Sequence, residues 1–95
     1  MSKAYLQISM QIDAADRANA AGVYNKYKAA FLDNVQGAKA KELLIREEDV
    51  QVLHEFDTVE NASAYLQTEL FNQDVVTALK PYLKANPDVR IYTVA

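Results

Sequence analysis

The sequence predicts a small α+β domain whose elements run strand–helix–strand–strand–helix–strand. Three observations predict it. Tyr5 to Asp13 alternates apolar and polar residues with a period of two, the pattern of a half-buried strand. Val23, Tyr24, Tyr27, Phe31 and Val35 recur at helical spacing through an Ala-rich segment without proline. The apolar runs Leu43–Ile45 and Val50–Phe56 are separated by so few residues that two strands there must form a hairpin.

The chain has 95 residues, a length that predicts one domain over residues 1–95. Its apolar fraction of 51% is enough for a packed core. It has no cysteine, which excludes disulfides, thiolate metal sites and cysteine nucleophiles. The net charge is -3, and no long basic run occurs. A nucleic-acid partner normally requires a basic patch, so none is expected. The first ten residues alternate rather than forming a continuous apolar h-region. No stretch approaches the ~18 apolar residues of a membrane span. The expectation is a soluble cytoplasmic protein.

The elements follow in order. On the first strand Leu6, Ile8, Met10 and Ile12 point one way, and Tyr5, Gln7, Ser9 and Gln11 the other. Asp13 can cap the first helix, with Asp16 in its first turn, where a negative charge suits the dipole. That helix runs to about Val35. Gly37 is the expected stop. The second strand falls within Lys39–Glu47, and its lysines at 39 and 41 suit an edge. Glu47, Glu48 and Asp49 form a polar turn. The third strand, Val50–Asp57, carries Val50, Val52, His54 and Phe56 on one face. Thr58 or Asp57 caps the second helix, whose apolar stripe is Ala62, Tyr65, Leu66 and Phe71. Asp74 can cap a further helical piece from Val75 to about Leu83, limited by Pro81. Ala85–Asp88 is a turn cluster, and Val89–Val94 the last strand.

This order is the split repeat of the ferredoxin-like βαββαβ type: a four-stranded antiparallel sheet with two helices on one face. The other face would carry Tyr5, Gln7, Ser9, Gln11, Leu53, Glu55, Arg90, Tyr92 and Val94. That mixture suits either a wet interface between two sheets or exposure to solvent.

Several families share the order and differ in their sites. An RNA-recognition motif needs aromatics on the open face of the third strand, where this chain has Gln51, Leu53 and Glu55. An acylphosphatase-like phosphate loop needs glycines and an arginine, where this chain has Asp13-Ala14-Ala15-Asp16. The segments Val52-Leu53-His54-Glu55-Phe56-Asp57-Thr58-Val59-Glu60-Asn61-Ala62 and Ala64-Tyr65-Leu66-Gln67-Thr68-Glu69-Leu70-Phe71 look different. Together with length and order, they resemble the antibiotic-biosynthesis-monooxygenase-like (ABM-like) family of dimeric α+β barrels. The resemblance implies a homodimer with two sheets packed back to back, and a pocket between sheet and helices. It implies oxidation of aromatic quinols by oxygen with no bound cofactor. The chain departs from the family pattern at its site. The family's helical histidine falls on Tyr65, a second frequent histidine on Leu70, the third-strand tryptophan on Phe56 and the usual carboxylate on His54. The residues that a haem-degrading branch requires have no match, so haem is not expected.

His54 is the sole histidine. It reads either as a general base for a phenol or as a strand histidine bonded to a neighbour. Tyr65 reads either as a hydroxyl that binds ligand or polarises an oxyanion, or as a core tyrosine. These two are the candidate catalytic residues. Phe56, Tyr24, Tyr27 and Phe71 are the candidate substrate-binding residues, with helix-to-sheet packing as the ordinary account of the first helix's aromatics. Glu47, Glu48 and Asp49 are contiguous and converge poorly on a cation, and no metal or cofactor is expected. Two functions follow. One is a cofactor-independent monooxygenase acting on a small aromatic or quinol. The other is a homodimer of the same fold that binds a small ligand or serves a structural role without turnover.

Overall fold

The computed structural model describes residues 3–95. Four strands form one antiparallel sheet: β1 (Ala4–Met10), β2 (Ala38–Ile45), β3 (Val50–Phe56) and β4 (Asp88–Thr93), in the order β2-β3-β1-β4. The alternation in sequence becomes alternation in burial. Leu6, Ile8 and Met10 of β1 and Val50, Val52 and Phe56 of β3 lie buried under the helices. Tyr5, Gln7, Ser9, Gln51, Leu53 and Glu55 lie half-buried on the opposite face. There the Tyr5 hydroxyl donates to Glu55 at 3.4 Å, and the Gln51 side-chain amide donates to Ser9 Oγ at 3.0 Å.

The first helix starts later than its acidic residues suggest. Ala14–Asp16 form a 3-10 turn, and α1 spans Arg17–Asn34. Asp13 does not cap it; its carboxylate pairs with Lys84 at 3.0 Å instead. The α1 stripe lies where its spacing placed it, with Phe31 buried and Val23, Tyr24, Tyr27 and Val35 against the core. Gly37 adopts φ +81° after the helix, the left-handed region that only glycine enters without strain.

The β2–β3 hairpin sets the inner face of β2. Arg46 and Asp49 close its loop through an Arg46 N–H···O=C Asp49 bond of 3.0 Å, and the Arg46 guanidinium pairs with Glu48 and Asp49. Ile45 then faces Val50, Leu43 faces Val52 and Lys41 faces His54. A bulge follows at Lys39, so Ala38 rather than Lys39 lies opposite Phe56. Lys39 is expelled to solvent. Lys41 is not: β2 is an edge strand as expected, but this lysine points under the helices and is 3% exposed.

Thr58 caps α2 (Val59–Tyr65), its hydroxyl accepting from the Asn61 N–H at 3.1 Å, while Asp57 accepts from the Asn61 side chain at 2.7 Å. The chain does not restart at an Asp74 cap. A π-helical turn, Leu70–Val75, runs straight into α3 (Val76–Leu79), and Lys80–Tyr82 adds a 3-10 turn containing Pro81. In a π turn, residues four and five apart share a face. Phe71, Val75 and Val76 accordingly all face the sheet side of the helical layer.

Candidate functional site

Sheet and helices do not close completely. A cavity of about 60 Å³ lies between them. It crosses the sheet from Lys41 and Leu43 of β2, over Val52 and His54 of β3 and Ile8 and Met10 of β1, to Val89 of β4. Ala20, Val23 and Tyr24 of α1 roof it, with Phe71, Val75, Val76 and Leu79. At the β4 end Val89 is 42% exposed, so the cavity opens there. Only three lining residues carry polar side-chain atoms: Tyr24, Lys41 and His54.

Strand pairing brings two of these together. Lys41 and His54 are direct partners on the same face, a placement that holds Cβ atoms about 5 Å apart. His54 is 2% exposed, and its Nδ1 lies 3.1 Å from the Leu6 carbonyl oxygen. A carbonyl oxygen only accepts, so Nδ1 carries the hydrogen and Nε2 keeps its lone pair. Burial, reinforced by the Lys41 charge, pushes the His54 pKa down to about 4. The ring is therefore neutral at physiological pH.

Lys41 is held by rings. Its Nζ lies 5.3 Å from the Phe31 centroid and 5.7 Å from that of Tyr24. The Tyr24 hydroxyl donates to the Lys41 carbonyl at 2.6 Å, fixing α1 to this point of β2. Among the described residues, Lys41 forms no ion pair. Burial, then the nearby Lys28 charge, lowers its pKa to about 8.

The six residues singled out by sequence divide. His54, Tyr24 and Phe71 line the cavity. Tyr65, Phe56 and Tyr27 do not, although Tyr65 borders a separate open depression of about 340 Å³ together with Val35, Asn61, Ala64, Thr68 and Leu70. Tyr65 is 1% exposed, packed between Phe31, Phe71, His54 and Phe56 at centroid distances of 5.1, 5.2, 5.6 and 5.9 Å. Its hydroxyl is sealed without a partner, and burial raises its pKa. Phe56 is fully buried, with an edge contact to Phe31 at 5.5 Å. Tyr27 is half-buried beneath the Lys26 ammonium. Lys41 is a further lining residue: the edge position that suits Lys39 and Lys41 does not by itself say which face of β2 either side chain takes. Counting pairs back from the hairpin loop places Lys41 opposite His54, and that signal was present in the loop length.

No protein-family model and no curated protein sequence matches the chain. Solved structures do. A "putative antibiotic biosynthesis monooxygenase" of Bordetella bronchiseptica superposes with a TM-score of 0.87 at 13% identity, over 100% of this chain and 99% of that one. A Caulobacter crescentus protein of the same description gives 0.84 at 14% identity, over 99% and 91%. One from Nitrosomonas europaea gives 0.81 at 8%, over 97% and 89%. The chain has the fold of these ABM-like proteins along its full length.

Proposed function

We propose that the protein is a cofactor-independent monooxygenase of the ABM-like type, acting on a small phenol or quinol in the cavity between sheet and helices. One observation carries the reading: an apolar cavity in which a buried, neutral histidine has its tautomer fixed by Leu6. His54 Nε2 accepts the phenolic proton, and the resulting phenolate reduces dioxygen. One phenol and one dioxygen give one quinone and one water. One oxygen atom enters the ring and the other leaves as water, so the substrate supplies all four electrons. The burial that keeps His54 neutral also makes it a weak base, and a phenolate beside it supplies the negative charge that raises its affinity for the proton. Tyr65, packed among rings with its hydroxyl buried, has a packing role in this scheme.

A cavity that holds benzene has on the order of 150 Å³. At about 60 Å³ this one admits an aromatic ring only as the rim at Leu83, Pro87 and Val89 widens. That favours small monocyclic substrates over fused-ring ones. The reading includes a cytoplasmic homodimer formed through the outer sheet face, where Leu44 and Tyr92 are 43% and 48% exposed.

Oxygen uptake with a panel of monocyclic phenols and quinols tests the reaction. The parent protein is expected to consume oxygen, and His54→Gln to lose about a hundredfold or more of the rate. Equal rates in the two proteins, or no uptake with any phenol, would overturn it. Binding without uptake would leave the ligand-binding alternative in its place.

A further inference from the structure

Lys41 is a cation in the wrong place for a stability role. An ammonium normally stays at the surface or meets a carboxylate, because burying it alone is costly. Here it is 3% exposed, lines an apolar cavity and meets two aromatic faces. The strand could have avoided this. The bulge one step away expels Lys39, yet Lys41 stays inside. The cavity is also polarised along its length. Its cation and imidazole sit at the β2–β3 end, and the far end at Leu83, Pro87 and Val89 is apolar and open. Three strand spacings, about 14 Å, separate β2 from β4.

We propose that the cavity is a site for a small organic anion, bound with its acidic head at Lys41 and its apolar body lying across β3 and β1 toward the β4 mouth. The head is a carboxylate, phenolate or enolate. This deepens the proposed function, on which the phenolate case rests: Lys41 stabilises the anion that His54 creates. The groups facing Lys41 are His54 from β3 and Tyr24 and Lys28 from α1. None of them is a carboxylate, and Lys28 is a basic residue like Lys41. A bound anion therefore meets no competing carboxylate there.

The test is binding of benzoate against benzyl alcohol, a neutral analogue of the same shape, followed by chemical shifts of the His54 ring and by calorimetry at pH 7. Benzoate is expected to bind the parent more tightly than the alcohol. Lys41→Met is expected to weaken benzoate by about tenfold or more, the worth of one charge-assisted contact, and to leave the alcohol unchanged. Lys41→Arg is expected to restore part of the preference. Lys41→Met should fold, since it replaces a buried cation with an apolar side chain of similar length, and circular dichroism checks this. Equal binding of the two probes, or equal loss of both in Lys41→Met, would overturn the proposal. The outcome separates from that of the monooxygenase reading. Anion preference without oxygen uptake removes the reaction and keeps the site. Uptake that is indifferent to Lys41→Met, with no preference for benzoate, keeps the reaction and removes the site.

Discussion

Lys41 and His54 face each other across β2 and β3, both almost fully buried, in a row that continues to Leu6 of β1. Burial suppresses the protonation of both; the Lys41 charge adds to this at His54, and the Lys28 charge adds to it at Lys41. One neutral imidazole and one unpaired ammonium then share the closed end of an apolar cavity. The fold tolerates this arrangement because ring faces surround it.

His54 makes stability depend on pH. Its pKa falls from 6.5 unfolded to about 4 folded, so the unfolded chain binds the extra proton between those values. Stability should rise with pH across that window and be lost as pH falls from 6.5 towards 4. The full effect is about 3 kcal/mol. Urea unfolding at pH 4, 5, 6 and 7 measures it, and His54→Gln should flatten that part of the profile. An unchanged slope in the variant would locate the effect elsewhere.

Gly37 should not accept a side chain. Its φ is +81°, and an added Cβ would collide with Asp57 and with Asn61, the residues that hold the start of α2. Gly37→Ala is expected to cost about 2 kcal/mol or more, from strain and the disrupted Asp57–Asn61 contact. Thermal unfolding reads this directly, and a variant as stable as the parent would contradict the packing described.

Tyr65→Phe separates packing from catalysis. The hydroxyl is buried with no partner, and such a group costs about 1–3 kcal/mol. Removing it should hold or raise the melting temperature and leave phenol binding and oxygen uptake intact. A large loss of uptake with stability unchanged would return Tyr65 to the reaction.

The outer sheet face supplies a test of assembly. Tyr5, Gln51, Leu53, Leu44 and Tyr92 form a mixed surface there. Light scattering is expected to give twice the chain mass at micromolar concentration, and Leu44→Glu with Tyr92→Glu to give the monomer. A parent monomer at high micromolar concentration would exclude the homodimer.

The alternation of Leu6, Ile8 and Met10 against Tyr5, Gln7 and Ser9 was legible because one buried face imposes a period of two. The α1 stripe was legible for the same reason at a period of 3.6. The cap of α2 was legible as Thr58 or Asp57 from local hydrogen-bond chemistry, and the structure chose Thr58. The start of α1 was not so local. Asp13 had a choice of partners, and Lys84, far along the chain, won. Likewise Asp74 fell inside a π turn, whose extra residue is dictated by packing of Phe71 and Val75 on the sheet.

Sequence alone thus determined the element order, the inner faces of β1 and β3, and His54 as the titratable group on that face. These depend on periodicity and near neighbours. Tertiary structure decided which candidates share a space. Tyr65 and Phe56 went into a buried aromatic cluster, and Lys41 went into the cavity, because strand register and ring packing are set by residues distant in the chain.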